Sequence, residues 1–193
     1  MGALPVQKLS VEEYLALDRA SESRMEYHGG EVFPMVASSL AHAVLQINAG
    51  RRLAERLDGT PCRTAGSAVR VRVSSSNFVY PDVLVYCGKP ALTDENGDTL
   101  TNPKVIVEIL SPSTEDYDYG GKFILYRSLE SFEEYLLVSQ HSPRVEVFLK
   151  APDGSWNLTT YEGLDTVVPV KSLNISIPVS ELYEGVEFPP PTE

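Results

Sequence analysis

Two nearly continuous apolar runs, Val79 to Tyr86 and Val105 to Leu110, each carry an acid where an acid is costly. Such runs suit strands covered on both faces, as in a sheet sandwiched between helices. Asp82 follows Pro81 and opens Val83-Leu84-Val85-Tyr86, while Glu108 stands between Val107 and Ile109. A carboxylate there loses several kcal/mol of hydration unless a cation or hydrogen-bond donors compensate, and aspartate is disfavoured in strands. The polar segment Gly88 to Pro103 joins the runs and is centred near Glu95. An antiparallel hairpin symmetric about that centre sets Asp82 opposite Glu108, on one face, with Cβ atoms about 5 Å apart. Two like charges so close repel, and a divalent cation is the usual remedy. Mg²⁺ or Mn²⁺ takes carboxylate oxygen at about 2.1 Å and keeps waters for chemistry.

The remaining pattern supplies helices and further strands. Ser10-Val11-Glu12-Glu13 is a capping box that starts a helix running to about Asp18. Gly29-Gly30 marks a turn between two short extended runs within Met25 to Met35. Ser38 or Ser39 caps a long helix with adjacent apolar stripes, ending at Asp58-Gly59. Val69, Val71 and Val73 alternate with Arg70 and Arg72 as a half-buried strand; Arg70 and Arg72 share a face that either is solvated or meets phosphate. Asp116 to Leu129 reads as a second long helix and Tyr135 to Val138 as a buried strand. Val145, Val147 and Leu149 form an edge-side strand, paired with Trp156 to Tyr161 across Pro152-Asp153-Gly154. The fold class is α/β, a central mixed sheet flanked by helices.

The length of 193 residues fits one domain, taken here as residues 1–188 with a loose tail from Pro189 to Glu193. The net charge of −11 weighs against generic nucleic-acid binding, which depends on Lys and Arg neutralising phosphates. It leaves room for a metal-dependent site, because bound cations reverse local charge. The same charge disfavours a membrane surface. Two cysteines, Cys62 and Cys87, make neither a disulfide framework nor a zinc cluster, and both read as reduced apolar side chains. Met1 to Leu9 lacks a signal-peptide pattern and no stretch reaches the length of a membrane span, so a soluble, cytoplasmic protein is expected.

Lys122 completes the candidate site. It lies on the helix expected after Ser111-Pro112-Ser113-Thr114, with Tyr126 one turn on along the same face. If that helix packs over the hairpin, the ammonium approaches the acids, where it orients water or neutralises a phosphoryl transition state. Four ordered blocks then resemble a known family: Tyr80-Pro81-Asp82-Val83, Val107 to Ser113, Lys122 to Tyr126 and Glu134 to Val138. They look like the Uma-two family of endonucleases, in the PD-(D/E)xK, restriction-endonuclease-like superfamily. Upstream, Arg24 to Val32 resembles the family's entry hairpin and His42 its histidine at the start of the next helix. The likeness spans roughly residues 8 to 185.

The resemblance implies an αβββαβ core, Mg²⁺ or Mn²⁺ held by Asp82 and Glu108, and hydrolysis of DNA phosphodiesters, with Lys122 assisting. Nucleases of the superfamily often pair across a two-fold axis, so a homodimer is a further expectation, with Tyr183 and Phe188 as candidate surface aromatics. One departure stands out: the lysine expected two residues after Glu108 is Leu110, and Lys122 takes its place. Glu31, His42 and Tyr126 are accessory candidates. Competing structural readings are a turn-ending Asp82, a metal-free Glu108–Lys122 ion pair, a solvated Lys122, a merely polar Glu31, locally bonded His42, packing by Tyr126 and a solvated Arg51-Arg52-Arg56 patch. The alternative functions are a catalytically inactive binding module on the nuclease fold and a two-carboxylate glycosidase. Fold-level likeness alone does not assign a substrate.

Overall fold

The computed structural model describes residues 8–35, 38–93, 95–112 and 114–188, and the Pro189–Glu193 tail lies outside them. Ser10 and Glu13 close the capping box that starts helix α1 (Val11–Ala20). Strands β1 (Met25–His28) and β2 (Glu31–Pro34) follow, joined by Gly29 and Gly30. Both glycines have positive φ, as a two-residue hairpin turn requires. That turn fixes the register, placing Glu26 directly across from Phe33. Ser39 caps helix α2 (Leu40–Arg56).

Strands β3 (Cys62–Gly66), β4 (Arg70–Ser74), β5 (Asn77–Val79), β6 (Val83–Cys87), β7 (Thr99–Leu100) and β8 (Val105–Leu110) come next. A broken helix then contains α3 (Glu115–Tyr117), a wide π turn (Asp118–Lys122) and α4 (Phe123–Tyr126). The chain ends with β9 (Glu134–Ser139), β10 (Arg144–Lys150), β11 (Trp156–Glu162), β12 (Val167–Val170), β13 (Ile175–Pro178) and α5 (Val179–Leu182). One described sheet has the order β11-β10-β9-β8-β6-β3, with β8 and β9 parallel and the other pairs antiparallel. A second has the order β2-β1-β5-β4-β7, and β12 pairs with β13. The expected mixed α/β architecture is present.

The larger sheet is covered on both faces. Val83, Val85, Val105, Val107 and Ile109 pack beneath Leu45, Ala49 and Leu53 of α2. Leu84, Ile106 and Leu110 face Phe123 and Tyr126 of α4. By strand alternation Asp82 and Glu108 share this second face.

Several expectations need correction. The run Val79 to Tyr86 is not one strand: β5 and β6 belong to different sheets, and Tyr80-Pro81-Asp82 carries the chain between them. The long helix expected over Asp116 to Leu129 is broken by the π turn at Gly120-Gly121 and ends at Tyr126. Cys62 and Cys87 form a disulfide, because the β3–β6 register sets them directly opposite each other. Tyr183 is buried, donates to the Ser139 carbonyl at 2.6 Å and packs on Phe188, so it is a core residue, not a surface aromatic. Arg51, Arg52 and Arg56 pair with Glu55, Glu181 and Glu184, tying α2 to the α5 region.

Candidate active site

Strand β6 pairs with β8 through Val83 and Val107; one residue further along this register, Asp82 stands opposite Glu108. Each acid accepts a backbone donor from the other's strand. The Asp82 amide donates to Glu108 Oε2 at 3.1 Å, and the Ile109 amide donates to Asp82 Oδ2 at 2.8 Å. These bonds replace ladder pairing where the strands diverge and hold both carboxylates facing the broken helix. Glu108 is 2% exposed.

That helix brings three groups to them. Lys122 Nζ lies 3.1 Å from Glu108 Oε1, and the Tyr126 hydroxyl donates to the same oxygen at 2.8 Å. Lys122 also lies 3.4 Å from Glu26 Oε1 and 3.6 Å from Asp118 Oδ1. The π turn makes this possible by widening the helix between Asp118 and Lys122. Gly121 is required there, since a Cβ at that position would sit 2.6 Å from the Tyr117 ring. The Tyr117 hydroxyl is 2.8 Å from His28 Nε2.

Helix α2 contributes from the other side. His42 Nε2 is 3.1 Å from Asp82 Oδ1, and Gln46 donates to the Asp82 carbonyl at 2.9 Å. His42 Nδ1 is buried with no hydrogen-bond partner among the described residues. Glu31 does not join the group: its carboxylate is exposed, 3.9 Å from Lys8. Arg70 and Arg72 are not in it either, for Arg70 is buried against Asp18 and Asp98, and Arg72 donates to the Ser74 carbonyl.

The sequence reading missed Glu26 and Asp118. Glu26 was hidden in a hairpin that looked merely polar, and counting pairs back from Gly29-Gly30 would have placed it on one face with Phe33. Asp118 resembled a surface residue of an ordinary helix.

Glu26, His42, Asp82, Glu108, Asp118 and Lys122 line a cavity of about 830 Å³. Burial pushes the Glu108 carboxyl well above the usual range; Lys122 opposes this, while Asp82 and Asp118 add to it. Asp118 is raised for the same first reason, burial, against the pull of Lys122. Burial also raises Glu26, but Lys122, His28 and the Tyr80 amide outweigh it and leave that carboxyl lowered. Burial disfavours the Lys122 ammonium, yet Glu108, Glu26, Asp118 and Asp82 overturn that and lift its pKa well above the ordinary lysine value.

Three carboxylates therefore contact one ammonium, and a fourth, Asp82, stands beside Glu108. Among the described residues, no three His, Cys, Asp or Glu side chains form a ready-made metal cage. The Asp118 Oδ1 atom, buried, makes no hydrogen bond among them. An excess of hard oxygen donors fits Mg²⁺ or Mn²⁺, which binds through one or two carboxylates and keeps several waters.

The fold is that of a nuclease-like α/β protein. A crystal structure described as "a putative nuclease belonging to DUF820 from Anabaena variabilis" aligns with a TM-score of 0.73 over 91% of this chain and 97% of that one, at 18% identity. The chain belongs to the Uma2 family, "Putative restriction endonuclease", whose model matches residues 11–180. Two relatives are from Synechocystis sp. The uncharacterized protein slr1290 is 35% identical over 185 residues, covering 95% of this chain and 96% of its own length. The uncharacterized protein sll1609 is 32% identical over 168 residues, covering 86% and 95%. The family read from the four sequence blocks is borne out. No helix among the described residues is long and apolar enough to cross a membrane.

Proposed function

We propose that this protein is a metal-dependent nuclease that hydrolyses DNA phosphodiester bonds. The observation that carries this reading is the interlocked Asp82–Glu108 pair with Lys122 3.1 Å from Glu108, in a cavity with more carboxylate than cation. Asp82 and Glu108 would hold Mg²⁺ or Mn²⁺. When bound, the ion supplies charge stabilisation for the phosphoryl transition state and an acidified water.

The protein's own groups do the rest. Lys122 stays protonated beside its acids, so it orients a water or a phosphate oxygen as a donor rather than taking a proton. Tyr126 fixes the Glu108 rotamer, and His42 fixes that of Asp82. Glu26 and Asp118 keep the Lys122 ammonium in place.

Calorimetry with Mn²⁺ tests the metal site, and DNA cleavage in Mn²⁺ tests the chemistry. Wild-type protein should give binding heat that Asp82→Asn and Glu108→Gln each abolish, together with cleavage. Wild-type protein silent in both assays overturns the proposal. The net charge of −11 favours a second reading, an inactive module that binds a partner through this fold. Mn²⁺ heat without cleavage of any DNA form would decide for that module.

A further inference from the structure

We infer that the DNA this site takes is an unpaired strand, held by stacking on Phe33, and not intact duplex; this rests on the nuclease reading above. Three observations carry it.

The first is depth. Asp82, Glu108 and Lys122 are all buried, in a cavity of about 830 Å³. Duplex DNA presents its phosphates on a stiff convex surface, which cannot be lowered into a pocket of that size. A single strand can thread a nucleotide into it, as enzymes acting on buried targets require of an extrahelical or unpaired base.

The second is charge. Proteins reach duplex phosphates largely through Arg and Lys. Among the described residues lining this cavity there is no arginine, and Lys122 is the lone lysine, already shared by Glu26, Glu108 and Asp118. Phosphate neutralisation by side chains therefore contributes little to binding, and another attraction is needed.

The third is the aromatic rim. Phe33 lines the cavity and remains 47% exposed, so its ring is accessible to whatever enters there. Its ring centroid is 5.3 Å from that of His28, which in turn meets Tyr117. Across the β1–β2 hairpin Phe33 pairs directly with Glu26, one of the carboxylates on Lys122. One short hairpin thus presents a flat ring at the mouth and an acid within. Such a ring stacks one base of a strand by its face, the contact that single-strand binding proteins repeat along a groove.

Fluorescence anisotropy of a labelled oligothymidylate and of a blunt duplex of equal length tests this, with Ca²⁺ in place of Mn²⁺ to keep the DNA intact. The single strand should bind at least about tenfold more tightly. Phe33→Ala and Phe33→Leu should each weaken it about tenfold or more, and Phe33→Trp should retain it. The plot of log K against log salt should be no steeper than about −2, reflecting few phosphate contacts. Unchanged Mn²⁺ heat in all three variants shows that the fold and the metal site are intact.

Duplex binding as tight as the single strand, a Phe33→Leu variant that binds like wild type, or a steep salt slope overturns the inference and leaves the nuclease reading standing. Binding of neither DNA overturns it as well. Wild-type Mn²⁺ heat then separates a wrong substrate class from a failed metal site.

Discussion

Two of the buried charge clusters among the described residues are built to opposite ends. In one, Arg70 is 2% exposed and lies 3.5 Å from Asp18 and 3.1 Å from Asp98, while Arg19 pairs with Asp98 at 2.7 Å. The Arg70 guanidinium also sits over the rings of Tyr14 and Tyr80. Two acids meet two guanidinium groups, and the cluster neutralises itself. In the other, Glu26, Glu108 and Asp118 meet the Lys122 ammonium, and Asp82 stands beside Glu108. Tyr80 joins the two, its hydroxyl donating to Asp18 at 2.5 Å and its amide to Glu26 at 3.1 Å. A balanced buried network ties elements together; an unbalanced one beside a cavity is poised for a ligand of opposite sign.

Removing Arg70 should have the largest effect. Arg70→Met leaves Asp18 and Asp98 without their shared cation, and breaking a buried pair this way costs about 3–5 kcal/mol. In a chain of this size the melting temperature should fall by ~10 °C. Mn²⁺ affinity at a temperature where the variant is folded should match wild type. A melting temperature within about 2 °C of wild type would mean that the balanced cluster is not a tie.

Gly121→Ala comes next. The added Cβ meets the Tyr117 ring at 2.6 Å, and overpacking of this kind costs about 1–3 kcal/mol. Because Tyr117 and the π turn hold the His28, Asp118 and Lys122 region, Mn²⁺ heat should weaken along with the melting temperature. Loss of stability with full metal affinity would separate the turn from the site.

Asp118→Asn should act in the opposite direction. It removes one of the surplus charges at an atom that makes no hydrogen bond among the described residues, and Lys122 keeps Glu108 and Glu26. The metal-free protein should gain about 1 kcal/mol, or ~2–4 °C in melting temperature. Destabilisation would show that Asp118 is needed to balance Lys122, making the two clusters alike.

How these clusters could be read from sequence differs for the same physical reason. Asp82 and Glu108 were legible because strand alternation is local and the joining segment is symmetric about Glu95; the β6–β8 register agrees with that centre. Lys122 and Tyr126 followed from helical spacing. Glu26 and Asp118 are placed by contacts between segments distant in the chain, which no local period reports. The same holds for Arg70, whose alternation with Val69 and Val71 suggested an exposed face, and for Cys62 with Cys87, whose pairing exists only once β3 lies beside β6. The central sheet was legible and the second sheet was not, because Tyr80-Pro81-Asp82 interrupts an apolar run without any change in composition. Sequence periodicity identifies which face a residue takes; charge balance depends on which faces meet.

The smallest expected effect is the opposite pH dependence of the two clusters. Asp98 has its pKa lowered from 3.8 to about 2, first by the hydrogen bond from Arg19. Its stabilisation is therefore complete above pH 4 and lost as pH falls towards 2. Asp98 is partly exposed, so this is worth less than about 1 kcal/mol. Glu108 and Asp118 have raised values, chiefly through burial. The folded protein holds protons there that the unfolded chain releases, so stability falls as pH rises from the ordinary carboxylate range through their folded values. Thermal melts of the metal-free protein across pH should show both limbs. Asp98→Asn should flatten only the acid limb, and Asp118→Asn should shallow only the one above it. If instead one substitution altered both limbs, the clusters would be titrating as a single network through Tyr80, and the division between a structural cluster and a ligand-ready one would have to be abandoned.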